Sequence, residues 1–174
     1  MNRSQFSLNF WILFAASLFF NGCGYHLVGT GSSLPTELKT LSISVFSNSS
    51  SEPEIHRELT SNIIDSFITD GRLKVVRKGS ADMVMKGTLY YYDLKAVSFS
   101  SNDFVSDYIV ELGVDVQVID KVNDKLYMKD KFKTKWDYRA TSDIVNTESA
   151  RLAALEEAYK ELGNRLVSLL IDQF

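Results

Sequence analysis

An α+β fold is what the sequence predicts: a two-layer sandwich of two helices packed on a four-stranded mixed sheet, in the order β-α-β-β-β-α. Three observations carry that expectation. Apolar residues recur at helical spacing in two segments, at Ile55, Leu59, Ile63 and Phe67, and at Leu155, Ala158, Leu162, Leu166 and Leu170. Other segments alternate apolar with polar residues at the period of two that a half-buried strand requires. Three of these strand patterns lie between the helices, so one face of a sheet is left for both helices to cover.

In chain order, Leu41, Ile43 and Val45 alternate with Ser42 and Ser44 as the first strand. Asn48 to Ser51 is a polar break. Ser51-Glu52-Pro53-Glu54 then reads as a capping box: Ser51 accepts from early helical amides, Glu54 reaches back, and Pro53 suits the first turn. Ile55, Leu59, Ile63 and Phe67 share one face, flanked by Ile64 and Ile68, and Gly71 supplies a left-handed stop. This helix is expected to cross over between two parallel strands. Leu73 to Val76 forms a short extended piece, and Met83 to Tyr92 a strand with bulk on both faces. Ser98 to Ser106, with Asn102 and Asp103, reads as a long polar loop.

The next strand is cleaner. Val110, Leu112, Val114, Val116 and Val118 face the core, while Glu111, Gly113, Asp115 and Gln117 face away. Asn123-Asp124 marks a turn, Leu126 to Tyr138 the last strand, and a long helix runs from Asn146 or Thr147 almost to the end.

With 174 residues the chain fits one domain with its own core. A net charge of −3 argues against a nucleic-acid partner, which selects for a basic excess. One cysteine forbids an intrachain disulfide, and with only two histidines a structural zinc site lacks ligands. No metal and no cofactor are expected.

The first residues read as a targeting segment. Arg3 lies in a short polar start, followed by an apolar run from Phe6 to Phe20. Positive, apolar, then small is the layout of a secretory leader, and the run is shorter than the ~20 residues that span a bilayer. A transmembrane anchor is the weaker reading. Phe20-Asn21-Gly22-Cys23 resembles a bacterial lipobox, with Phe20 and Asn21 departing from its usual residues. The bland alternative is a plain leader followed by a free or core cysteine. Lipidation of Cys23 gives residues 1–22 as a cleaved signal peptide, 23–38 as a Gly- and Ser-rich lipid-anchored tether, and 39–174 as the domain. Gly24 follows Cys23 where an Asp would favour inner-membrane retention, so the outer membrane is expected. Two or more acyl chains would hold the protein there stably.

Taken together, these residues resemble the lipopolysaccharide-assembly lipoprotein family LptE. The match begins at Cys23-Gly24-Tyr25-His26-Leu27 and runs through Leu34-Pro35, Lys39 to Phe46 and Glu52-Pro53. It continues at Asp70 to Val76, Ala81-Asp82, Lys86-Gly87-Thr88, Ser101-Asn102-Asp103 and the long C-terminal helix. The resemblance implies a plug seated in the large β-barrel LptD, on the periplasmic side of the outer membrane. It implies assistance with barrel assembly and with inserting lipopolysaccharide into the outer leaflet. The alternative is a lipid-anchored periplasmic adaptor of another envelope complex, in cell-wall synthesis or secretion.

Two contact candidates follow from the residues. Lys129, Lys131, Lys133 and Lys135 line one face of the last strand, a row of ammonium groups over roughly 20 Å. It suits glycolipid phosphates or acidic residues of a barrel wall; a solvated face or edge protection explains it as well. Phe99, Asn102, Asp103 and Phe104 make the 98–106 segment a candidate partner-contact loop. Phe132 and Trp136 read as core, and at least one of Tyr90 and Tyr92 should reach a wet or partner-facing surface. Catalysis has no sequence support. His56 falls in the apolar arc of the first helix, where a partly buried, hydrogen-bonded histidine is ordinary, and no nucleophile, zinc or phosphate-loop motif is present. The protein is expected not to be an enzyme.

Overall fold

A computed structural model describes residues 34–102, 104–141 and 143–172. The chain divides into two units, Met1–Gly31 and Ser32–Phe174, of which the first lies outside the described residues. Alternating and helical apolar periods set the elements of the second. They are β1 (Thr40–Ile43), β2 (Ser47–Asn48), α1 (Ile55–Asp70), β3 (Lys74–Val75), β4 (Met83–Phe99), β5 (Val105–Asp120), β6 (Lys125–Arg139) and α2 (Ile144–Ile171).

The sheet is mixed, as expected, but has six strands rather than four. Its order is β3-β1-β4-β5-β6, with β2 also pairing β4. β1 runs parallel to β3 and β4, and β2 parallel to β4; β4-β5 and β5-β6 are antiparallel. The two additional strands are two residues each: β2 is too short for periodicity to reveal, and β3 lies within the extended piece expected at Leu73 to Val76, where it pairs with β1.

One sheet face and both helices share a single core. Val110, Leu112, Val114, Val116 and Val118 are fully buried, as their alternation requires. Leu59, Ile63 and Phe67 of α1 and Leu155, Ala158, Tyr159, Leu162, Leu166 and Leu170 of α2 close over them. Each fully buried large side chain contributes about 1.5–3 kcal/mol. Leu38 already belongs to this core, and Leu34 packs against it. The helices approach closely at Gly163, where a Cβ would fall on the Ser66 side chain. Ile68, placed beside the apolar arc, is exposed.

Several local expectations are corrected. Ser51 does not cap α1: its hydroxyl donates to the Tyr92 carbonyl at 3.3 Å. Glu54 occupies the N-cap with φ 66°, makes no side-chain cap bond and pairs with Arg57 at 2.7 Å. Pro53 precedes the N-cap instead of lying in the first turn, and the left-handed turn at Glu54 leaves its carboxylate exposed. The 98–106 segment is not a long loop. β4 continues to Phe99 and β5 begins at Val105, leaving a tight hairpin tip closed by Ser100 N–H donating to Phe104 O at 2.7 Å. α2 starts at Ile144, earlier than expected, because the Asp143 carboxylate accepts from Val145 N–H at 2.9 Å. Phe132 is buried, whereas Trp136 is 36 % exposed at the sheet margin and is not core. His56 is half-buried as expected, but its Nδ1 has no hydrogen-bond partner among the described residues.

Candidate functional site

Two surfaces stand out, one on each side of the sheet. The face away from the helices is a ladder of charges and tyrosines. Its organiser is a bulge in β4: Leu89 pairs with Val114 and Tyr91 with Gly113, so Tyr90 is the extra residue. The bulge turns Tyr90 and Tyr91 onto the same open face while Tyr92 points to the helix side. Gly113 makes room for them, since a Cβ there would meet the Tyr90 ring at 2.8 Å. Lys131 lies 5.3 Å from the Tyr90 ring centre and Lys133 3.8 Å from that of Tyr91.

The lysine row therefore does not stand alone. Lys131 pairs with Asp115 at 3.5 Å, and Lys133 with Glu111 at 3.2 Å. Lys95 adds contacts to Asp93 at 3.1 Å and Glu111 at 3.4 Å. The Lys133 ammonium, with Lys95 beside it, holds the Glu111 carboxyl below its ordinary range. Lys95 and then Tyr91 do the same for Asp93. Lys129 and Lys135 have no ion pair among the described residues, and all four lysines are exposed. The row lies on β6, an outer edge of the sheet.

The second surface is a cleft of about 1130 Å³ at the hairpin end of the sandwich, lined by Glu52, Tyr92, Leu94, Tyr108, Tyr138 and Arg151 among others. Arg151 is its centre. It donates to the Tyr92 hydroxyl at 3.0 Å and pairs with Glu148 at 2.7 Å and Glu52 at 3.3 Å, with only 16 % of its side chain exposed. Arg151 lowers the Glu148 pKa, while burial raises that of Tyr92. Tyr108 and Tyr138 stack with centroids 5.4 Å apart, and burial, followed by Tyr108, pushes the Tyr138 hydroxyl up to about 12.

Phe99 and Phe104 project from the hairpin tip, 63 % and 74 % exposed, with Asn102 exposed between them. Cys23 and Asp103 lie outside the described residues. The structure does not bring the lysine row and the hairpin tip into one site; they occupy an edge strand and one end of the sheet. Sequence reasoning missed the Arg151 cluster, because Glu52 comes from the connection before α1, Tyr92 from β4 and Arg151 from α2. Its one local signal is the Glu148-Arg151 spacing on α2. Among the described residues no group of three or more His, Cys, Asp or Glu could hold a metal, and no helix is long and apolar enough to cross a membrane.

The fold is that of a small α+β domain, two helices on one face of a mixed sheet. Solved structures share that fold at low identity. A hypothetical protein from Chlamydia trachomatis is 8 % identical, with 76 % of this chain and 97 % of that one covered and a TM-score of 0.54. An uncharacterized lipoprotein B from Nitrosomonas europaea is 13 % identical, covering 79 % and 88 %, at 0.52. A minor lipoprotein from Acinetobacter baumannii is 14 % identical, covering 78 % and 92 %, at 0.50. No curated protein matches the sequence. The profile of the LptE lipopolysaccharide-assembly family matches residues 38–170, most of the chain. The chain belongs to the LptE family.

Proposed function

We propose that this protein is the non-enzymatic, lipid-anchored plug of the LptD β-barrel. It is acylated at Cys23, sits on the periplasmic side of the outer membrane, and helps the barrel assemble and insert lipopolysaccharide into the outer leaflet. The observation that carries the reading is membership of the LptE family across nearly the whole described domain. The surfaces suit it. A plug meets its barrel over a polar wall, and the open sheet face offers paired charges interleaved with tyrosines rather than an apolar patch. In this reading Lys129 and Lys135 are left to meet an anionic partner, phosphate or carboxylate. Lys131 and Lys133 are held by Asp115 and Glu111. Phe99, Asn102 and Phe104 at the hairpin tip, with Asp103, make up the proposed contact element.

Gentle detergent extraction, affinity capture of the full chain and mass spectrometry of its companions test the reading. A large outer-membrane barrel in stoichiometric amount is the expected result. Capture of a peptidoglycan synthase or a secretion component in its place would move the protein to the adaptor class.

A further inference from the structure

The two outer edges of the sheet are built differently. β6 carries Lys125, Lys129, Lys131, Lys133 and Lys135 along its length, the usual device that keeps an edge strand from pairing with another chain. The other long edge is β4. β1 covers it only at Met83 to Met85, and β2 only at Thr88 and Leu89. From Tyr91 to Phe99 the only strand paired with β4 among the described residues is β5. The Tyr92 carbonyl accepts a hydroxyl from Ser51, outside the sheet, so its main-chain groups face away from β5. Leu94 and Ala96, two and four residues on, face the same way. Register shifts at Leu89/Tyr91 and Ala96/Ser98 bound this regular stretch.

Protection is missing here. Lys95 is the one basic residue between Tyr91 and Phe99, and it is engaged by Asp93 and Glu111. Leu94, Val97 and Phe99 are exposed. Tyr92 and Leu94, whose backbones form the edge, also line the Arg151 cleft, together with Phe104 and Ile144. In that cleft two carboxylates, Glu52 and Glu148, face one guanidinium.

From this we infer that the Tyr92–Ala96 edge of β4 takes up an extended segment of a partner polypeptide as an added strand. The main chain of the segment bonds the outward groups of Leu94 and Ala96, next to the Tyr92 carbonyl that Ser51 already holds, as in strand-addition complexes. Its side chains on the helix side enter the cleft, so they are apolar with one basic residue near Glu52. A second copy of this chain does not fit that charge requirement, since its own stretch offers only the paired Lys95.

The test selects displayed random octapeptides on the full chain in detergent, then measures amide hydrogen exchange with a selected peptide and with the same peptide N-methylated at alternate residues. The expected peptides alternate apolar residues and include a basic one. They slow exchange at Leu94 and Ala96 by about tenfold or more, and the N-methylated form loses binding. Ala96→Pro, which removes an outward N–H, also abolishes binding. The wild-type comparison of plain and N-methylated peptide stands even where that variant misfolds. No enriched peptide, protection elsewhere, equal binding of the N-methylated form, or self-association through β4 would each overturn the inference.

Discussion

Gly87 shows how much one side chain can decide. It lies on the core face of β4, against the ring of Phe46, and a Cβ there would fall on that ring. Phe46 is buried and its own N–H donates to Thr60 Oγ1 at 3.0 Å, so it has little room to retreat. Gly87→Ala should cost about 1–3 kcal/mol, read as a lowered urea midpoint with an unchanged slope. On the open face, the lysine row was legible from its spacing. Its neutralisation was not, because Glu111 and Asp115 reach the lysines only through the β5-β6 register. Lys129 and Lys135 carry the consequence. Replacing both with Ala should weaken binding to lipopolysaccharide vesicles severalfold at low salt, with the difference fading as salt rises. Equal binding at every salt concentration leaves the row as edge protection and nothing more. The Arg151 cluster was invisible at this scale, since nothing in the sequence near Glu52 or Tyr92 announces a partner on α2.

Elements were legible where one period ran unbroken. α1, α2 and β5 follow from apolar spacing, and the Asn123-Asp124 turn is present with Asp124 at φ 48°. The second half of β4 was hidden for a physical reason. The bulge after Leu89 reverses the side-chain parity up to the next register shift after Ala96, so Leu94 and Ala96 continue a helix-side pattern that reads as noise in sequence. Capping at α1 failed because a side-chain pattern does not fix backbone conformation, and Glu54 takes the left-handed region instead. Where β1 meets β4, one carboxylate joins two elements. Asp82 Oδ2 accepts from the N–H of Lys39 at 3.0 Å and of Thr40 at 2.9 Å, and from the Thr40 hydroxyl at 2.8 Å. The Thr40 hydroxyl is the leading cause of the lowered Asp82 pKa. Asp70 is likewise lowered, chiefly by Arg72, which also bridges to Asp172 at the end of α2. Both folded values lie below the unfolded one. Their stabilisation is therefore full above the ordinary carboxylate range of about 4 and is lost as pH falls through the depressed values. The melting temperature should drop steeply on that acid limb, and Asp82→Asn should flatten the drop while lowering stability at neutral pH. An acid limb identical in the variant would show that Asp82 contributes nothing to it.

At the scale of the whole molecule, a sandwich with one helix-covered face leaves the other face of its sheet for contact. The sandwich class was readable because three strand patterns between two helical ones admit few arrangements. The six-stranded detail was not: β2 exists only as a main-chain pairing to β4, and the extended piece at Leu73 to Val76 gives no sign in sequence that it joins the sheet beside β1. In the proposed assembly the open face and the hairpin tip meet the barrel, while the outward side of α2 does not. Photocrosslinking in cells tests this directly, with the reactive residue placed in turn at Lys135 on β6, Phe104 at the hairpin tip and Glu156 on α2, all exposed. Adducts to one large outer-membrane barrel from Lys135 and Phe104, and none from Glu156, are the predicted result. Adducts from neither position, or from both to a protein that is not a barrel, would contradict the plug.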